Sequence, residues 1–176
     1  MTQRWRTERP GADEHAPYYA QYVAEAQPGD LVSSLERQAS DVAALLKGIP
    51  ESRGAHRYAA DKWSIKEVIA HIADTERVFA YRLLRFARGD TTALPGFDEN
   101  LVARGSEADA RTLADLGEEL AAVRRATVTL VRSMQDAQMS RRGTASGKEI
   151  SARALAWIIA GHAQHHVKVL RERYLG

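Results

Sequence analysis

Gly161-His162-Ala163-Gln164-His165-His166 sits inside an apolar-periodic run that extends from Ile150 to Leu175. Wound as an α-helix at about 100° per residue, that run places Leu155, Ile158, Ile159, His162, His166 and Val169 on one stripe. Two imidazoles therefore stand where a core would take two leucines. Side chains four apart are neighbours on a helix surface, so both rings can hold one ion, as paired histidines do in many zinc sites. His165 lies toward the stripe's edge and could form an i, i+3 pair with His162 instead. His162 and His166 are preferred because both are central on the apolar face. A third ligand is needed, and His71 is the best candidate; the rest of the chain reads as the scaffold that brings it there.

Working back from that helix, a loop containing Gly143 and Gly147 precedes it, and the helix starts near Ile150. The helix before the loop is expected from about Thr112 to Ala137, burying Leu113, Leu116, Leu120, Val123, Thr127, Leu130 and Met134. A second long helix begins at Ser64, where Ser64 and Glu67 form a capping box. It runs to about Arg88 with Ile65, Val68, Ile69, Ile72, Phe79, Leu83 and Phe86 on one face. His71 lies at the edge of this face. Glu76 lies near its centre, an odd place for a carboxylate, where it either pairs with Arg124 or Arg125 or supports the site. The first long helix runs from the N-cap Asp30 to Lys47 and is stopped by Gly48 and Pro50. Pro17 to Ala26 forms a short helix whose Tyr18, Tyr19 and Tyr22 either pack on the bundle or line a pocket mouth. Residues 1–16 read as a polar arm, residues 17–176 as a single domain, and His56 as an exposed loop residue.

Four long amphipathic helices with no strand pattern give an all-α four-helix bundle. Gly89 to Arg111 is a long connector between the second and third helices. About 22 residues can span roughly 70 Å, against about 37 Å for the preceding helix. The connector can therefore cross the bundle and make those two helices parallel, giving an up-down-down-up order. In that order the second and fourth helices are antiparallel, and His71 falls level with Val167, next to His166. In the parallel case it would miss the pair by about 8–14 Å at 1.5 Å per residue.

The chain has 176 residues, enough for one domain with a real core. Its net charge of +2 is too small to imply a nucleic-acid partner. It contains no cysteine, which excludes disulfides, thiolate metal sites and a cysteine nucleophile. No apolar run approaches a membrane span, and the start, Met1 to Arg6, lacks the apolar core of a signal peptide. The expectation is a cytoplasmic protein with no membrane partner.

Lys62-Trp63-Ser64-Ile65-Lys66-Glu67-Val68-Ile69-Ala70-His71-Ile72-Ala73-Asp74-Thr75-Glu76, with the histidine-rich stretch of the last helix, resembles the DinB-like (damage-inducible, YfiT-like) superfamily. Val123-Arg124-Arg125-Ala126-Thr127 and Leu94-Pro95-Gly96-Phe97-Asp98 resemble that family's third helix and connector, so the likeness covers roughly residues 17–175. It implies an up-down-down-up bundle, often a homodimer, with a divalent metal, zinc or nickel, held by three histidines. The matching positions are His71, His162 and His166. Glu76, His165, Asp74, Arg124, Tyr19 and Tyr22 are candidates to support the ligands or line the pocket. The resemblance leaves the reaction open, since similar proteins include thiol-dependent S-transferases, an isomerase and proposed hydrolases.

Three neutral imidazoles leave an open coordination position, the mark of a catalytic zinc site. Such a centre lowers the pKa of water or holds a thiol as the nucleophilic thiolate. With no cysteine in the chain, the thiol would be a low-molecular-weight cofactor. The leading expectation is a metal-dependent S-transferase that activates such a thiol and acts on a small-molecule substrate. A metal-dependent hydrolase is the rival. A non-catalytic metal-binding stress or interaction protein is the third reading, which closure of the site by Glu76 or His165 would favour.

Overall fold

A computed structural model describes residues 3–176. Seven α-helices and one β-hairpin follow in chain order: α1 (Ala20–Glu25), α2 (Leu31–Lys47), α3 (Ile65–Ala87), α4 (Glu99–Gly105), α5 (Leu113–Arg132), α6 (Asp136–Met139), β1 (Arg142–Ala145), β2 (Lys148–Ser151) and α7 (Ala152–Val169). The four long helices α2, α3, α5 and α7 form the bundle. Around it, α3 packs on α5 and α7, and α2 packs on the same two.

The helix starts follow from side chains that satisfy otherwise orphaned backbone donors. Asp30 accepts from the Ser33 N–H at 2.9 Å. The Ser64 hydroxyl accepts from Glu67 N–H at 3.0 Å while the Glu67 carboxylate accepts from Ser64 N–H at 2.8 Å. At α7, Ser151 Oγ accepts from Ala154 N–H at 2.9 Å.

Three sequence expectations are corrected. The third long helix stops at Arg132 rather than Ala137, because Gln135 is extended and the Ser133 hydroxyl turns back onto the Leu130 carbonyl at 2.8 Å. The fourth begins at Ala152, after the extended Ser151 cap. The presumed Gly143/Gly147 loop is a β-hairpin, so the fold is mostly helical rather than all-α. Its two strands pair antiparallel, Gly143 opposite Ile150 and Ala145 opposite Lys148. Ser146 and Gly147 both take positive φ, 53° and 72°, which a two-residue hairpin turn of matching twist requires. Each strand has four residues, too few for alternation to register as a pattern. Gly143 is needed for packing: a Cβ there would lie 2.2 Å from the Phe86 ring.

The connector after α3 is ordered by this hairpin. Leu94 N–H donates to the Thr144 carbonyl at 2.9 Å, and Ser146 N–H donates to the Leu94 carbonyl at 3.1 Å. Before Pro17 the chain also packs onto the bundle. Trp5 is buried in the same core as Leu83 and Trp157, and the Trp157 indole N–H donates to the Trp5 carbonyl at 2.9 Å. Arg9 caps the end of α1 through the Val23 and Ala26 carbonyls.

A buried polar network ties the long helices together at one level. Arg124 of α5 grips the Glu76 carboxylate of α3 through Nε and Nη2, at 2.9 and 2.7 Å. Its Nη1 donates to Gln38 Oε1 of α2 at 2.8 Å, and Gln38 Nε2 donates to the Ala160 carbonyl of α7 at 2.8 Å. Along the α2–α5 pair, Arg132 meets Glu36 near one end, and Leu46 lies against Gly117 near the other. On the outside of α7, α1 approaches so closely that a Cβ on Gly161 would stand 1.6 Å from the Tyr22 carbonyl oxygen. No helix is long and apolar enough to cross a membrane among the described residues.

Candidate metal centre

His71 lies two turns into α3; His162 and His166 lie one turn apart on α7. Packing of α3 on α7 brings all three rings together. The Nε2 atoms of His71 and His166 approach His162 Nε2 to 3.0 and 3.1 Å, and one nitrogen from each ring lies within 4.8 Å of the others. Two nitrogens bound to one tetrahedral zinc at 2.0–2.1 Å stand about 3.3 Å apart. Two of the three pairs lie within a few tenths of an ångström of that spacing and the third within 4.8 Å, so the donor set fits a divalent ion once the rings adjust around it. His71 Nδ1 lies 3.4 Å from the Thr75 hydroxyl, an outer partner of the kind that fixes a ligating ring's orientation.

Burial sets the protonation state. It pulls His71 down to a pKa of about 4. His162 falls well below the ordinary histidine value through burial first and then the neighbouring histidines, and His166 falls for the same reasons. Three neutral imidazoles at pH 7 are what a metal requires of its histidine ligands.

The other candidates divide. Tyr22 is buried, with its ring centroid 5.3 Å from that of His162. Tyr19 packs edge-on against Phe79 at 6.0 Å. Burial raises the pKa of both phenols, so both remain hydrogen-bond donors at neutral pH. Both line a cavity of ≈ 200 Å³ that opens on His162. Glu76 and Arg124 bind each other and stand apart from this cavity. His165 is half-buried and turns to Glu25, its Nδ1 3.8 Å from that carboxylate. Asp74 pairs with Arg77 at 3.0 Å and contributes nothing to the cavity. His56 is exposed and lies near Tyr174.

Sequence reading missed much of the wall. Thr75, Phe79 and Arg82 follow His71 along α3 at spacings of four, four and three and all line the cavity or its floor, a stripe that helical periodicity alone could have flagged. Phe97 and Glu99 from the connector and Ser146 from the hairpin turn complete it. Trp63 covers the other side, its ring 4.5 Å from His71 and stacked at 6.4 Å on His166.

The model of the DinB superfamily matches residues 34–170 of the chain. Among solved structures, the chain is similar to YfiT from Bacillus subtilis, described as a probable metal-dependent hydrolase with an unusual four-helix bundle topology. The TM-score is 0.73 at 15% identity, covering 96% of this chain and 97% of that one. It is also similar to the mycothiol-dependent maleylpyruvate isomerase, with a TM-score of 0.63 at 14% identity over 78% of this chain and 58% of that one. The chain thus spans under two thirds of the isomerase's length. No curated protein matches.

Proposed function

The chain belongs to the DinB superfamily, and on that premise we propose that it is a metal-dependent enzyme in which His71, His162 and His166 hold one divalent ion, zinc or nickel. The observation that carries this reading is the convergence of three neutral imidazoles, two buried and one half-buried, with His162 at the edge of a cavity. A purely structural site would be closed by a fourth protein donor, whereas Glu76 and His165 are both engaged elsewhere. Contacts between the long helices support an up-down-down-up order: Glu36 near Arg132 with Leu46 near Gly117, Glu76 beside Arg124, and His71 beside His166.

When bound, the ion supplies Lewis-acid chemistry and lowers the pKa of a thiol or water presented to it. The protein's own groups do the rest. Thr75 and Trp63 orient His71. Tyr19, Tyr22 and Phe79 give an apolar wall with phenolic donors. Among the described residues no carboxylate joins the histidine cluster as a general base. Thiol activation needs no such base once the pKa has dropped, so the leading reading is an S-transferase using a low-molecular-weight thiol and a small electrophile. Metal-assisted hydrolysis is the second reading, favoured by the protonated Tyr22 beside His162 as a donor to an oxyanion.

Purified protein is expected to carry about one metal ion per chain. Replacing His71 or His162 with alanine should remove it while the helical circular dichroism persists. At a free metal concentration of 100 times Kd the wild type should gain roughly 2.7 kcal/mol of stability, which a chelator removes; metal retained in both variants refutes the ligand assignment. Assay with thiol plus electrophile, against ester and amide panels, separates the two reactions: turnover without thiol overturns the transferase reading.

A further inference from the structure

Among the described residues three lysine or arginine side chains are buried: Lys66, Arg82 and Arg124. Lys66 pairs with Glu51 and Arg124 with Glu76. Arg82, only 3% exposed, has no carboxylate partner among the described residues. Its hydrogen bonds run from Nη2 to two neutral acceptors, the Pro95 carbonyl at 2.8 Å and Ser146 Oγ at 3.1 Å. Phe79 and Phe97 flank the guanidinium at 5.7 and 5.8 Å. A buried charge left without an opposite charge is costly, and an arginine fork is shaped to take a carboxylate. Nε and Nη1 remain for such a partner.

Arg82 and His162 both line the ≈ 200 Å³ cavity, with Phe79 between them, its ring 6.2 Å from that of His162. We propose that this cavity selects small molecules carrying a carboxylate, and that Arg82 binds the carboxylate at the end remote from the histidines. Tyr19, which lines the same cavity as Arg82, can donate a second hydrogen bond to the same group. Exposed Glu99 at the rim opposes anions, which favours a ligand with a single carboxylate whose apolar body fills the aromatic walls. The inference deepens the small-molecule reading above and rests on it for the identity of the reacting end. Carboxylate binding itself needs only the cavity and Arg82.

The test uses 3-phenylpropionate and its neutral isostere 3-phenylpropanamide, titrated by calorimetry into the full chain with and without zinc. In metal-free protein the acid should bind at least tenfold more tightly than the amide. Arg82→Gln should abolish that preference. Ser146→Ala, which removes only a hydrogen bond that braces Arg82, should retain most of it. Glu99→Gln should tighten the acid two- to threefold and leave the amide unchanged. Equal affinity for acid and amide in the wild type, or a preference that survives Arg82→Gln, overturns the proposal. If Arg82→Gln fails to fold, the wild-type and Glu99→Gln comparisons decide alone. An acid preference in a protein that binds no metal sinks the metal reading and leaves this one standing; metal bound without acid preference does the reverse.

Discussion

A buried imidazole stays neutral because charging it would strip water from an ion. His71 avoids that penalty by staying neutral, its pKa held at about 4 by burial. The unfolded chain protonates near 6.5, so it takes up a proton before the folded chain does as pH falls. Stability present above about pH 6.5 is therefore lost progressively toward pH 4. Urea midpoints of the metal-free protein should fall across that window, and His71→Gln should flatten part of the slope; an unchanged slope would mean that His71 is not the buried neutral group. The triad was legible in the sequence because two of its members are one helical turn apart on an apolar stripe and the third could be levelled by counting residues. Arg82 was not, because a charge missing its partner is a property of the folded surroundings, and an arginine at i+3 from Phe79 reads as an ordinary solvated residue until those surroundings are known. Glu76 fell between these cases: its central position on the stripe demanded a partner, but Arg124 and Arg125 differ only by which way they face, and the fold buries the first and exposes the second.

Elements carry the next level of control. Glycine inside a helix normally costs about 1 kcal/mol relative to alanine, so Gly161→Ala would stabilise α7 in isolation. Here the added methyl would collide with backbone, the Tyr22 carbonyl at 1.6 Å, and α1 must move away. The variant should be destabilised by ~1–3 kcal/mol, the usual cost of overpacking, and should loosen Tyr22 from His162. Chemical denaturation checks the first effect and ligand titration the second; a stabilised variant would refute the close approach. Ser64→Ala should cost about 1 kcal/mol through the lost cap of α3, read from the same denaturation curves. The long helices were visible in the sequence through period and caps. The hairpin was hidden because four-residue strands carry almost no periodic signal, and because its function in packing, admitting Phe86 beside Gly143, depends on a partner from another helix.

At the scale of the whole molecule, one polar layer joins all four long helices through Arg124, Glu76, Gln38 and the Ala160 carbonyl. Replacing a single member strands the others in a dry core. Arg124→Met should cost ~3–5 kcal/mol, the penalty for an uncompensated buried carboxylate. Adding Glu76→Gln should recover part of the loss, because the stranded charge is then gone. A double-mutant cycle by urea unfolding measures this, and strict additivity would show that the pair is not coupled. The layer lies close to the histidines, since Ala160 is two residues from His162, so it fixes the rotation and height of α7 as well as contributing to cohesion.

The tyrosine-bearing segment at α1, the connector and the hairpin turn supply much of the cavity's lining beside the side chains of α3 and His162, whereas the three histidines belong to two long, well-packed helices. Loops and short segments tolerate exchange far better than bundle interiors do. Changes in a turn or a tyrosine should therefore alter what the cavity admits while leaving the three histidines in place.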